Sequence, residues 1–358
     1  MDFGLSDEQK LLQESVAQFL AKENDATKLR ARFDAEEALD AGLWHAMAEL
    51  GLAGLAIPEV RGGTGLELLD AALVAETLGR FAAPGPFLGH TLASLALVLG
   101  GSPEQQRSWL PRLATGDALG TIAFAEPGGA WQPEEWQLRA GRTLSGEKAH
   151  APNGASADLI VVGVAGGGLA LVARAQGGVV AEPFPGVDRT RRLDGVRFDG
   201  APCEELPGGS AAARRVRDAG LVLLAADAFG GASRLVETSV EYAKTREQFG
   251  VTIGHFQALK HQLANMALEV EPARALYWYA AHAFDHAPQD APRAAALAKA
   301  HLTDRFLQVA RDAVEAHGGI GYTWECDVQI WFKRAIFDRT FLGSPALHRE
   351  RAAALAGW

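Results

Sequence analysis

The stretch Tyr242-Ala-Lys-Thr-Arg-Glu-Gln-Phe-Gly250, continued by Ile253-Gly-His-Phe-Gln257 and Lys260-His261, joins a long helical run to an abrupt break. Arginine and glutamine at a helix end supply N–H donors, and the neighbouring glycine lets another group approach the backbone closely. Both properties suit a pyrophosphate. From this stretch alone, a surface Arg–Glu pair before a helix-ending glycine is the better reading. A second glycine-rich stretch, Ala313-Val-Glu-Ala-His-Gly-Gly-Ile-Gly-Tyr-Thr323, closes another helical run and tips the reading toward a cofactor phosphate. A third, Gly51-Leu-Ala-Gly-Leu-Ala-Ile-Pro-Glu59 with Gly62-Gly63, is a turn-rich loop far upstream.

Working outward from these stretches, the chain reads α, then β, then α. Ser6 with Gln9 predicts a capping box, and Leu12, Val16, Phe19 and Leu20 follow at helical spacing. Helices are expected over 41–50, 68–80 and 87–99, and Ser102-Pro103 starts another with serine as cap. From Ala118 short β-rich runs separated by glycine take over, at 120–125, 159–164, 169–173, 179–183 and 191–198. Helices return near Gly209, with Ala212–Gln248 mostly helical and Gly230-Gly231 inside it allowing close contact or a bend. Pro272 is expected to split the run Phe256–Asp285, while Pro292 and Gly318-Gly319 bracket a helix. The expected fold class is α+β. It comprises a helical domain over 1–118, a middle β-domain (barrel or sandwich) over 119–208 and a C-terminal four-helix bundle over 209–358.

The chain has 358 residues, of which 48% are hydrophobic and 22% charged, with a formal net charge of −10. That balance excludes a phosphate backbone as main partner, so no nucleic acid is expected. The basic run Arg214-Arg215-Val216-Arg217 reads as a solvated helix face. Cys203 and Cys326 lie far apart with no ligand spacing, so no metal site and no disulfide framework is expected. The amino terminus, Met1 to Lys10, lacks signal-peptide character. The apolar stretch Ala219–Ala232 contains Asp227 and is too short for a membrane span, so a cytoplasmic location is expected.

In order and spacing, the three stretches resemble the acyl-CoA dehydrogenase family, and Phe3-Gly-Leu-Ser-Asp-Glu-Gln9 and Glu126-Pro-Gly128 match it as well. The resemblance covers essentially the whole chain. It implies FAD shared at a subunit interface, with Arg246, Gln248, Phe249, Phe256 and Gln257 reaching a flavin lodged mainly in a neighbour. Gly318 and Gly319 would admit its backbone closely. Glu315 departs from the family's glutamine, and a carboxylate there would repel a pyrophosphate unless turned away, protonated or paired.

The family reaction removes the α-proton of an acyl-CoA thioester while a hydride leaves the β-carbon, and a positioned base typically contributes ~10²–10⁴-fold. Most members carry that base as a glutamate before a Gly-Thr/Ser pair; here Arg339-Thr-Phe-Leu-Gly-Ser344 puts Leu342 there. The alternative family position, on the helix before the first stretch, falls on Gly220. Asp338 and Asp218 are the weaker substitutes, Asp218 standing on the wrong helix face relative to Gly220. Glu325 and Glu350 read as solvated or structural.

The chain's own flavin elements are also altered. Gly129-Ala-Trp-Gln132 stands where the family has a small residue, glycine, serine and aspartate. Lys148-Ala-His-Ala-Pro152 replaces the tryptophan and the hydroxyl residue that hold the isoalloxazine. The chain therefore resembles the non-catalytic subunit of the α2β2 acyl-CoA dehydrogenases of bacterial steroid side-chain catabolism. That implies a catalytic partner subunit, an acyl-CoA substrate and electron-transfer flavoprotein as acceptor; the alternatives are an active homotetrameric dehydrogenase with an unusual base and a related flavin oxidase or monooxygenase. Tyr277-Trp278-Tyr279 reads as packing between helices, and His261 and His317 as interface or capping residues.

Overall fold

The computed structural model describes residues 4–37 and 39–358, so Phe3 of the opening motif lies outside the described residues. Ser6 and Gln9 form the expected box, Ser6 Oγ accepting from Gln9 N–H at 3.2 Å and Gln9 Oε1 from Ser6 N–H at 3.1 Å. Behind it come α1 (Asp7–Glu23), α2 (Ala26–Asp34), α3 (Ala41–Glu49), α4 (Leu68–Arg80), α5 (Phe87–Gly100) and α6 (Pro103–Thr115). Ser102 caps α6 with a second box, its partner being Gln105. The middle of the chain folds into β1 (Gly120–Ala123), β2 (Thr143–Pro152), β3 (Leu159–Val164), β4 (Gly168–Ala173), β5 (Val179–Phe184), β6 (Leu193–Pro202) and β7 (Glu204–Glu205). Then follow α7 (Gly209–Thr245), the short strands β8 (Glu247–Gln248) and β9 (Val251–Thr252), α8 (Gln257–Val270), α9 (Arg274–His286), α10 (Ala291–His317), α11 (Val328–Thr340) and α12 (Pro345–Leu355). The fold class is α+β, helical before and after a middle β region.

The chain forms two units. One contains Ala35–Ala71 and Pro84–Gly220. In it, one sheet has the order β1-β3-β4-β7 and another the order β2-β6-β5. β1 runs parallel to β3, and the other pairings are antiparallel. Leu144, Ile160, Val162, Val172, Val196 and Phe198 fill the core of this β region. His90 sits fully buried on α5. Its Nε2–H donates to the carbonyls of Ala53 (3.2 Å) and Leu113 (3.1 Å), and Nδ1 accepts from Gly120 N–H (3.3 Å). These partners require the neutral Nε2 tautomer. Burial pulls its pKa from 6.5 to about 4 despite the two carbonyls.

The other unit runs through Asp34, takes in Ala72–Ala83 and resumes at Leu221. Here α4 and α7 cross at glycines. A Cβ on Gly79 would lie 2.1 Å from the Asp227 carbonyl oxygen, and one on Gly230 would lie 1.9 Å from that of Glu76. The close contact expected of Gly230-Gly231 is therefore present, and α7 continues through it. Arg334 is fully buried and forks onto Asp227 at 2.7 and 2.6 Å, while its third nitrogen reaches the Ala83 carbonyl at 3.1 Å. Pro272 splits the α8–α9 run, and Pro292 and Gly318 bracket α10, as the sequence indicates.

Two expectations need correction. Arg217 is not on a solvated face: it is 4% exposed, bonded to Asp218 Oδ1 at 3.1 Å and to Gln132 at 3.3 Å. The apolar run around Asp227 belongs to a 37-residue helix that is long and apolar enough to cross a membrane by length and composition. Of its apolar window, 89% is buried inside the protein, and Asp227 is paired there, which marks a core helix.

Candidate functional site

At the end of α7 the helix stops with Arg246 N–H still bonded to the Tyr242 carbonyl at 2.8 Å. The chain then doubles back. Glu247 pairs with Thr252 and Gln248 with Val251, leaving Phe249 (φ +55°) and Gly250 (φ +79°) as a two-residue hairpin loop. Positive φ at both loop positions matches the twist of paired strands, and a phenylalanine there is strained. Phe249 nevertheless points into solvent, 92% exposed, its ring edge-on to Phe256 at 6.1 Å. Arg246, Gln248 and Gln257 are exposed as well.

Tyr242 stacks on His317, with ring centroids 4.4 Å apart and planes 20° apart, so the end of α7 meets the end of α10. His317 Nδ1–H donates to the Ala313 carbonyl at 2.7 Å, which gives this histidine a structural task. The two glycine-rich stretches, far apart in sequence, are thereby neighbours. A Cβ on Gly318 or Gly319 would meet nothing within 4 Å, and Gly319 has no positive φ, so nothing inside the chain requires glycine at 319. Ile320 and Tyr322 beyond it are 44% and 75% exposed. Glu315 is exposed on the last turn of α10 and has no cation partner among the described residues. This edge presents forked donors, accessible backbone and apolar rings that the chain leaves uncovered. Those properties fit a pyrophosphate with an attached ring system.

The β region presents a different picture. Lys148 Nζ, fully buried, donates to Glu126 Oε1 at 2.7 Å, and that oxygen also accepts from the N–H groups of Gln137 (2.9 Å) and Leu138 (3.2 Å). Burial pushes the Glu126 pKa up, but the Lys148 hydrogen bond and the backbone donors leave it lowered; Lys148 is lowered too, by burial. Two residues on, β2 bulges between Lys148 and Ala151, and His150 takes φ +55°. Its ring stacks on Trp131 and meets the edge of Phe184. Pro152 follows, with its carbonyl accepting from Thr121 Oγ1. No hydroxyl stands at 150–152 and Pro152 has no N–H, so the hydroxyl donor expected there for an isoalloxazine is absent.

The candidate positions for a base are all buried. Leu342 is fully buried at φ +60°, its carbonyl taking a hydrogen bond from His348 Nε2 at 3.0 Å. Gly220 is buried within α7. Asp338 is fully buried, and its backbone carbonyl accepts from Lys299, a buried lysine whose pKa burial lowers to about 7. Asp218 is 4% exposed and held by Arg217. Tyr277 is buried, its hydroxyl bonded to Glu76 and accepting from Trp278 Nε1 at 2.7 Å, while Tyr279 is exposed and bonds Asp290. Tyr277 and Trp278 thus pack between helices, as read from the sequence. Glu325 and Glu350 are exposed. The hairpin, the Tyr242–His317 stack and the Trp131–His150–Phe184 cluster escape sequence reading; an exposed Phe-Gly pair after a helix was the only local sign of the first.

Two family models match the chain: "Acyl-CoA dehydrogenase, N-terminal domain" over residues 6–117 and "Acyl-CoA dehydrogenase, C-terminal domain" over 209–356. Acyl-CoA dehydrogenase IpdE2 of Mycobacterium tuberculosis is 36% identical over 343 residues, covering 95% of this chain and 94% of that protein. Among solved structures, the Tcur3481-Tcur3483 steroid ACAD variant superposes with a TM-score of 0.90 at 31% identity, covering 98% of each chain. The FAD complex of PigA superposes at 0.89 with 26% identity, covering 100% of this chain and 99% of that one.

Proposed function

Because the chain belongs to the acyl-CoA dehydrogenase family, whose cofactor is FAD, we propose that it completes the FAD site of a catalytic partner subunit and has no base of its own. The observation that carries this reading is the contrast between two surfaces. Donors suited to a neighbour's cofactor stand exposed at Arg246, Gln248, Gln257 and Gly318-Gly319. The chain's own flavin face holds Trp131, His150 and Pro152 instead.

In this reading Arg246 and Gln248 orient the pyrophosphate by forked hydrogen bonds, Phe249 and Phe256 cover the flavin's apolar surface, and Gly318 and Gly319 let its backbone-facing edge come close. The chemistry supplied by bound FAD is acceptance of the hydride that leaves the β-carbon. The α-proton goes to a carboxylate of the partner, since Leu342 has no lone pair to accept it. Asp338 and Asp218 are disfavoured as substitutes, because both are buried and the Asp218 carboxylate is held by Arg217. The substrate proposed is a steroid side-chain or similarly bulky acyl-CoA, in an α2β2 assembly that passes its electrons to electron-transfer flavoprotein. The likeness to IpdE2 and to a steroid ACAD supports that choice.

Co-expression with a glutamate-bearing partner tests it. The isolated chain is expected to be colourless and inactive, and the co-purified complex yellow and active. Full activity with stoichiometric flavin in the isolated chain would overturn the proposal.

A further inference from the structure

The cluster of Trp131, His150 and Phe184 has no task in the reaction above, and its construction is specific. Trp131 and His150 lie nearly parallel, with planes 18° apart and centroids 5.9 Å apart, while Phe184 stands perpendicular to His150 at 87° and 4.4 Å. His150 is on β2 and Phe184 on β5, with β6 between them in the sheet. Pro152 and Phe184 both pair with Leu193, so the three strands end in one row. The His150 ring stands on the bulge at 148–151 and reaches Phe184 across that row. A histidine at φ +55° is strained and persists where surrounding contacts outweigh the cost. Here those contacts are the two rings, and burial lowers the pKa of the imidazole.

The same loop retains the buried Lys148–Glu126 pair immediately beside the stack. The anchoring of the loop is therefore intact, and what has changed is what the loop carries. We infer that the Trp131–His150–Phe184 stack is a built-in replacement for a planar cofactor: the chain's own rings fill the face of the β region, hold the bulge closed and bar a flavin from it. The inference rests on the reading of this face as the chain's own former flavin site. It adds that the face is filled from within rather than left open for a ligand.

The full chain tests this, with FAD as the probe. Trp131→Ala and His150→Ala are each expected to lower the melting temperature of the isolated chain by about 2–4 °C. The double variant should fall by less than the sum, because both remove the same contact. Trp131→Phe, which keeps a ring, should lose less than Trp131→Ala and guards against an alanine variant that fails to fold. Added FAD should neither raise the wild-type melting temperature nor quench its tryptophan emission saturably. Strictly additive losses, or a saturable FAD response in the wild type, would overturn the inference. Failure to co-purify with a partner would sink the heteromeric reading while leaving this melting series decisive for the stack.

Discussion

The exposed hairpin after α7 and the bulged strand β2 both carry sequence of the same family, yet they have gone opposite ways. Around Arg246 the chain keeps groups with little use among the described residues: an arginine without an ion pair, a strained phenylalanine in solvent and a glycine pair with open space above it. Around Lys148 the chain makes contacts of its own: an ion pair, backbone donors on Glu126 and ring contacts among Trp131, His150 and Phe184. An idle, costly surface persists where something outside the chain repays it. In the proposed reading, the contacts around His150 stand in for a ligand.

The sharpest way to break this contrast is to remove the internal anchor. Lys148→Met leaves the Glu126 carboxylate without its cation, and is expected to cost about 3–5 kcal/mol in denaturant unfolding. A loss under 1 kcal/mol would show that the β region does not rest on that pair.

Acid should expose the same dependence on internal contacts at His90. Its folded pKa of about 4 lies below the unfolded 6.5, so the unfolded chain binds the extra proton between those values. Stability contributed by the neutral ring is complete above pH 6.5 and falls away as the pH drops toward 4, by on the order of 3 kcal/mol. Unfolding measured against pH should show that slope, and His90→Gln should flatten it.

At the hairpin the expectation reverses. Arg246→Ala should leave the isolated chain within about 0.5 kcal/mol of wild type. In the co-purified complex it should weaken flavin retention by about 10–100-fold, the loss of a charge-assisted hydrogen bond. The smallest structural effect belongs to Gly319→Ala. Its methyl meets nothing in the chain, so the melting temperature should not move, while flavin content per complex should fall. If flavin content is unchanged in both variants, the exposed edge does not serve a cofactor.

Much of the fold was legible because its signals are local. Ser102-Pro103 starts α6, Pro272 breaks the α8–α9 run, and Gly318 ends α10, each through the backbone chemistry of one or two residues. What could not be read depends on distance. The strand Glu247–Gln248 looked like the last turn of α7, because its pairing with Val251–Thr252 depends on the Phe249-Gly250 loop and on Ile253 N–H bonding the Arg246 carbonyl. Arg217 looked solvated in its basic run, since Gln132, which meets it, lies 85 positions upstream. The hub at His90 was missed for the same reason: three backbone partners, none nearer than 23 residues, turn a polar residue in an apolar helix into a core residue. The site residues were legible as motifs, but their meeting through Tyr242 and His317 was not.

The crossing of α4 and α7 bears on anyone who would make this protein hardier. Replacing a mid-helix glycine by alanine is an ordinary route to thermostability, because it narrows the unfolded ensemble. At Gly79 and Gly230 it would do the reverse: the added methyl would land on a carbonyl of the facing helix and wedge the pair apart. A stabilisation campaign that follows helix propensity alone would spoil the molecule first at these two positions.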